Sequence, residues 1–312
     1  MDQRVSTHRE QESVSAAQSR LVKRRRMGVI GLGIILAAIV LAAVAAGAEP
    51  FEPDSFGPGQ DARAYWEAAR VEPYASEVGS QSAYLYSPAF LQTISPLTNL
   101  PWTAFLVVWT GVLMLALLAL VGPVLFAPVL LFALYEIWGG NITLLLALSV
   151  VAGFRWPATW AFVLLTKVTP GVGLLWFAVR REWRQLAIVA AASAALVAFS
   201  WLLAPVLWQQ WISFLLGSLE QSTPPGGIPI PLWVRLPIAA LLTIYAARTG
   251  RQWLVVVSAM LALPVLWFGG LTMLVGVVAL RRQEIEAAIM ARLVGLQLAR
   301  RSRLGRNPLP ES

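Results

Sequence analysis

Apolar residues fill most of this chain in long blocks, and polar residues collect at both ends and in two interruptions. The first block, Met27–Ala48, runs 22 positions without a charge. As a helix it is long enough to cross a hydrocarbon core of roughly 30 Å. Later blocks repeat the pattern: Trp102–Val121, Val124–Trp138, Ile142–Phe154, Trp156–Thr166, Gly171–Val179, Gln185–Leu207, Leu232–Ala246, Trp253–Trp267 and Gly270–Leu280. These are continuous apolar runs, so they read as helices. The expected fold is all-α: a polytopic transmembrane protein of about ten spans. Pro123, Pro128, Pro157, Pro170 and Pro264 punctuate the runs, so some spans are expected to be half-helices or re-entrant pieces.

The domain reading follows from the blocks. Residues 1–26 form a polar cytoplasmic tail, expected to be disordered over 1–22. Residues 27–280 form the membrane domain, with long outer loops at 49–100 and 208–231. Residues 281–312 form a basic, amphipathic cytoplasmic tail suited to anionic headgroups. Ala46-Gly47-Ala48 also fits a signal-peptidase site, and a cleaved signal is the alternative for the first block. Either reading leaves the next loop outside.

Charge agrees with this threading. Of the 24 Lys and Arg residues, all but Arg63, Arg70, Lys167 and Arg235 fall on one side. Under the positive-inside rule that side is cytoplasmic, with both termini inside a cell membrane. The net charge of +8 is then a topology signal, and no stacking aromatics accompany the C-terminal arginines as nucleic-acid binding would require. The chain has no cysteine, and its one histidine, His8, lies in the polar tail. That removes disulfides, thiol chemistry and histidine-based sites, and no metal site is expected.

The loop 49–100 departs most from the rest. It holds seven of the sixteen acids, together with Tyr65, Tyr74, Tyr84 and Tyr86. Gly57-Pro58-Gly59 breaks the chain, and Asp61–Val71 then reads as a short helix with Asp61 and Tyr65 on one face. Arg63 and Glu67 form an i,i+4 pair on another. Two roles fit Asp61: a helix N-cap, or a general base toward a sugar hydroxyl. Tyr84-Leu85-Tyr86-Ser87-Pro88 opens a second interfacial segment, which serves either an aromatic belt or sugar stacking.

Lys167, in Thr166-Lys167-Val168-Thr169-Pro170, sits at the outer end of a span against the charge trend. It either snorkels or meets a lipid phosphate. Arg235 fits the same phosphate role. Glu136 and Asn141 flank Gly139-Gly140 at the same rim. Glu136 is open to a structural pairing with Lys167 or to lining a substrate.

Taken in order, three motifs resemble a known family. They are Asp61-x-x-x-Tyr65 followed by Tyr84-to-Pro88, Pro96-Leu97 and Leu100-Pro101; Gly140-Asn141 opening an apolar run; and Lys167-Val168-Thr169-Pro170 before Arg180-Arg181-Glu182-Trp183-Arg184. The set resembles the bacterial polyprenol-phosphate-mannose-dependent alpha-mannosyltransferases, within the C-type superfamily of membrane glycosyltransferases. It covers roughly residues 27–190, and Tyr86-Ser87-Pro88 departs from that family's usual Tyr-Pro-Pro.

The resemblance implies an inverting transfer of one sugar, mannose or another hexose, from a polyprenyl-phosphate donor. Asp61 would act as base, Lys167 and Arg235 would bind donor phosphate, and Tyr65, Tyr84, Tyr86, Glu136 and Asn141 would line substrate. No cofactor is implied beyond the lipid-linked donor. The partners implied are that donor, a lipid, glycan or protein acceptor, and membrane lipids. Two other classes compete: a transporter or flippase for a lipid or small solute, and a scaffold that kept the fold without activity.

Overall fold

The computed structural model describes residues 2–48, 57–76, 83–218, 227–289 and 292, with side chains from residue 23 onward. Among these residues every regular element is helical. Helix α1 spans Asp2–Gly47, α2 Gln60–Glu67, α3 Pro88–Thr98, α4 Trp102–Gly139, α5 Thr143–Gly153 and α6 Trp160–Thr166. A 3₁₀ segment, Thr169–Leu174, leads into α7, Leu175–Val179. Helix α8 spans Trp183–Leu203, α9 Pro205–Ser218, α10 Leu232–Thr249, α11 Gln252–Leu261 and, after a 3₁₀ segment at Phe268–Leu274, α12 Val275–Leu280.

Three helical stretches are long and apolar enough to cross a membrane: Lys23–Gly47, Trp102–Gly139 and Trp183–Leu203. Five other expected spans appear as shorter apolar helices, and Leu232–Ala246 lies in α10, which is not among the helices apolar enough to cross, so the ten-span count does not emerge from helix length. Proline and glycine explain the shortness, because each break removes backbone hydrogen bonds or frees the chain to turn.

Helix α4 is the exception in length, and it is not straight. Gly122 has φ 67° and ψ 174° inside it and is followed by Pro123. The Trp109 indole donates to the Gly140 carbonyl at 2.7 Å. Those residues would lie about 46 Å apart on an unbroken helix. The helix is therefore a hairpin that reverses at Gly122, where positive φ favours glycine. Sequence periodicity had already separated the two limbs at Val121 and Val124.

The hairpin defines two ends of the molecule, about 30 Å apart by helix rise. Helix α1 packs alongside: the Gly33 backbone meets Phe126 just past the turn, and Ala48 accepts from the Trp102 indole at 2.9 Å. Lys23–Arg26 therefore lie at the turn end. Arg282 is there too, its guanidinium against Gly122. Arg180 donates to Ala247 at 3.3 Å, and Arg251 and Arg281 line one cavity, which brings the other arginine clusters to the same end.

Two local expectations changed. The backbone of residues 2–22, read as a disordered tail, continues α1 as helix. The loop expected at 208–231 begins as helix α9, which ends at Ser218. Its Trp208 donates to Ser200 at 3.0 Å, and its Phe214 packs 5.8 Å from Tyr74. The amphipathic tail is helical over residues 282–289, and 293–312 lie outside the described residues, as do Glu49, Glu52, Asp54 and Glu77.

Candidate active site

The end opposite the hairpin turn is built from α2, α3, both tips of α4, and the segment after α6. Helix α2 is held down by its backbone. The Gly59 amide donates to the Trp138 carbonyl at 2.7 Å. Gly140 has φ 76° and lies so close to Ala62 that an added Cβ would sit 2.6 Å from the Ala62 methyl. Trp109 fixes that glycine from the other side through its carbonyl. Arg63 pairs with Glu67 at 2.6 Å, as the i,i+4 spacing predicts, and lies between the Trp66 and Trp102 rings at 4.7 and 4.8 Å. Arg70 stacks 3.5 Å over Trp66 and bonds the Thr98 and Leu100 carbonyls. Both bases of this loop therefore fasten it to α3 and α4.

Asp61 does not cap α2. The N-cap position is Gly59 and carries no side-chain cap bond, so Asp61 sits in the first turn. The Asn141 amide donates to Asp61 Oδ2 at 3.1 Å, and Thr143 in turn approaches Asn141 Oδ1 at 3.4 Å. Asp61 keeps solvent access, yet protein surrounds it closely, as for a carboxylate in an open recess. That enclosure raises its pKa above the ordinary 3.8, and the Asn141 bond and the Lys167 charge pull it part of the way back. A raised carboxylate pKa lowers stability as pH climbs through the shifted range, because the folded state holds the proton longer than the unfolded chain.

Beneath Asp61 lies a packed aromatic floor. Tyr65 meets Tyr86, Phe90 and Trp109 edge-on at 5.4, 5.7 and 5.5 Å. Its hydroxyl lies 3.3 Å from the Tyr86 hydroxyl. Tyr84 stands one layer back, donating to the Ser87 carbonyl at 3.2 Å and 5.6 Å from the Tyr86 ring. Burial holds all three phenols above their usual pKa, so they are neutral donors. Tyr65 and Tyr84 are about 1% exposed, which makes them supports of the recess more than its lining.

Lys167 completes the cluster. Its amine lies 5.9 Å from the Tyr86 ring centroid, and its charge acts on both Asp61 and Glu136. Glu136 is 3% exposed, and its Oε1 has no hydrogen-bond partner among the described residues. Its other oxygen lies against Gly269, where an added Cβ would collide with it. Just beyond Lys167 an apolar groove of about 500 Å³ opens, from Thr169 along Val172, Leu175 and Ala178 between Leu186 and Leu236.

These residues offer an accessible carboxylate, a cation whose charge acts on it, buried neutral hydroxyls and an adjoining apolar groove. Among the described residues no group of His, Cys, Asp or Glu has the composition to hold a metal ion. The sequence profile of glycosyltransferase family 87 matches residues 84–300. The chain belongs to glycosyltransferase family 87. This is the polyprenol-phosphate-mannose-dependent, C-type membrane family that the motif order resembled. No curated protein and no solved structure matches the chain. Family 87 membership makes this protein a membrane glycosyltransferase. The matched segment contains Tyr84, Tyr86, Glu136, Asn141 and Lys167, while Asp61 and Tyr65 precede it and reach the same recess through α2.

The structure does not bring Arg235 to this glycosyltransferase recess. Its guanidinium donates to the carbonyls of Ile230, Leu261, Leu263 and Pro264 at 2.7, 2.5, 2.8 and 3.1 Å. Four of the five N–H groups of an arginine are thereby used. The phosphate role expected for Arg235 is corrected to a structural one: it ties α10 to the end of α11. Sequence reasoning also missed Trp109 and Gly269. Trp109 reads as an ordinary apolar position, and only the long-range pairing of the α4 limbs with α2 gives it a part in the site.

Proposed function

We propose that this family 87 enzyme transfers one hexose, mannose in the first instance, from a polyprenyl-phosphate donor to an acceptor hydroxyl, with inversion. The observation that carries the reading is the Asn141–Asp61 bond, which holds an accessible carboxylate in a recess that Lys167 also influences. The acceptor hydroxyl gives its proton to Asp61 as its oxygen attacks the anomeric carbon. The bond from that carbon to the phosphate oxygen breaks, and its electron pair leaves on the phosphate. Lys167 stabilises that charge, as fixed cations do for developing anions. A single displacement inverts the carbon. Asn141 keeps Asp61 turned to the recess, Tyr86 offers a ring wall, and the buried Glu136 stands behind the recess within reach of the Lys167 charge.

The apolar groove beginning at Thr169 supports a lipid donor, because its lining suits an isoprenoid chain whose phosphate would then lie beside Lys167. The arginine-rich hairpin-turn end is assigned to the cytoplasm of a cell membrane by the positive-inside rule, which puts the recess on the outer face. The acceptor, a lipid, glycan or protein, approaches from there. A transporter would keep its polar site near the bilayer midplane, and the position of these residues at one end of the spans favours the enzyme. Asp61→Asn, assayed in membranes with a labelled polyprenyl-phosphate hexose, is expected to lower kcat by about 10²–10⁴. Undiminished transfer by the folded variant overturns the assignment.

A further inference from the structure

The hairpin-turn end carries a second cavity of about 500 Å³, unrelated to the recess. Its walls are Gly250, Arg251, Gln252 and Trp253, at the turn from α10 into α11, and Leu280, Arg281 and Glu284 after α12. Two arginines, Arg251 and Arg281, line it. Arg251 is oriented by the Tyr245 hydroxyl, to which Nη1 donates at 3.2 Å, and no other N–H of its guanidinium makes a bond among the described residues. Arg281 lies 5.9 Å from the Trp253 ring and pairs with Glu284 at 2.5 Å, with both side chains about half exposed or more, at 49% and 65%. Exposed pairs of that kind hold weakly, so a phosphate can take the place of Glu284.

The first turn of α11 contributes as well. Its cap residue, Arg251, makes no side-chain cap bond; the Leu254 amide turns back to the Arg251 carbonyl at 3.1 Å, and the Gln252 and Trp253 amides are the leading donors at the cavity wall. Trp253 and Leu280 give the cavity an apolar side, and Tyr245, 49% exposed, stands beside it. Arginines with interfacial aromatics at the end of apolar helices match a headgroup at the depth where lipid phosphates lie.

We propose that this cavity binds the phosphate of an anionic phospholipid in the leaflet on the arginine side. The site is independent of the glycosyl-transfer reading. Arg251 and Arg281 hold the phosphate oxygens, and Trp253 and Leu280 meet the glycerol and upper acyl carbons.

The test uses the full chain purified in neutral detergent, with bound lipid read by native mass spectrometry. Phosphatidylglycerol is expected to be retained and phosphatidylcholine released. Arg251→Gln is expected to weaken phosphatidylglycerol binding about tenfold or more, since a bond to a charged group is lost. Arg281→Gln has a similar effect. Arg248→Gln removes an equal charge outside the cavity wall, and about fivefold is the upper limit for diffuse attraction. Glu284→Gln is expected to tighten binding, which keeps the proposal testable if an arginine variant folds poorly. Equal losses for Arg248→Gln and Arg251→Gln overturn the site in favour of general surface charge. Equal retention of both lipids overturns it too. Displacement of phosphatidylglycerol by millimolar inorganic phosphate overturns the lipid assignment and leaves a soluble-phosphate site.

Discussion

Lys167 and Arg235 carry the same charge, stand against the same topological trend, and have opposite surroundings. The segment around Lys167 leaves its amine without a hydrogen bond or ion pair among the described residues, beside an aromatic ring and within electrostatic reach of two carboxyl groups. The region around Arg235 spends its guanidinium on four backbone carbonyls at the end of α11. Charge in an unexpected place thus has two physical explanations. A cation that the fold leaves unsatisfied is available to a ligand, whereas one that satisfies orphaned helix carbonyls is part of the scaffold.

Substitutions can break this contrast. Lys167→Ala is expected to lower kcat by about 10²–10³, the loss of one fixed group at a developing anion. Its thermal stability should change by less than about 0.5 kcal/mol. Arg235→Ala is expected to do the reverse, costing about 3 kcal/mol or more of stability in a thermal or denaturant melt. Turnover per folded molecule should be kept. Arg235→Lys should not rescue it, because one ammonium lacks the planar fork that spans several carbonyls. If Arg235→Ala instead melts normally and loses turnover, the division between the two regions is wrong.

A smaller effect sharpens the account of the recess. The Asn141 bond favours the ionised form of Asp61 against the enclosure that disfavours it. Removing it with Asn141→Ala raises the Asp61 pKa further. The base is lost as pH falls through that pKa, so the acid limb of kcat/KM should move up by about one unit. A profile that does not move would detach Asn141 from the base. The smallest expected effect on turnover is for Trp109→Phe, which keeps an aromatic side chain, though a smaller one, and deletes the bond to Gly140. It should cost about 1 kcal/mol of stability and lower turnover only modestly, through a looser Gly140–Asn141 corner.

What the sequence conveyed depended on the range of the cause. The reversal of α4 at Gly122 was legible because glycine and proline interrupt an apolar run locally. The Arg63–Glu67 pair was legible because helix spacing alone brings it about. Asp61, Asn141 and Lys167 were found through motif order, and their meeting is a tertiary fact that no local pattern encodes. Arg235 misled because its partners are backbone carbonyls, which look the same in every sequence. Helix α9 was read as loop because Gln209, Gln210 and the tryptophans around them dilute its apolar face. Tyr84 was grouped with Tyr86 by proximity along the chain, although it points away to the Ser87 carbonyl.

The reversal of α4 also sets an order of events during synthesis. A chain made from its N-terminus has Asp61 long before it has a partner for it. Only when the second limb of α4 has followed the first does Asn141 arrive beside Asp61, and Lys167 comes two short helices later. At that moment the two side chains that act on the Asp61 carboxylate are present, with residues 168–312 still to be added. The late segment then contributes Gly269 behind Glu136 and Arg282 against the turn. In biosynthetic terms the Asp61 corner is an early product, and the last helices are its buttress.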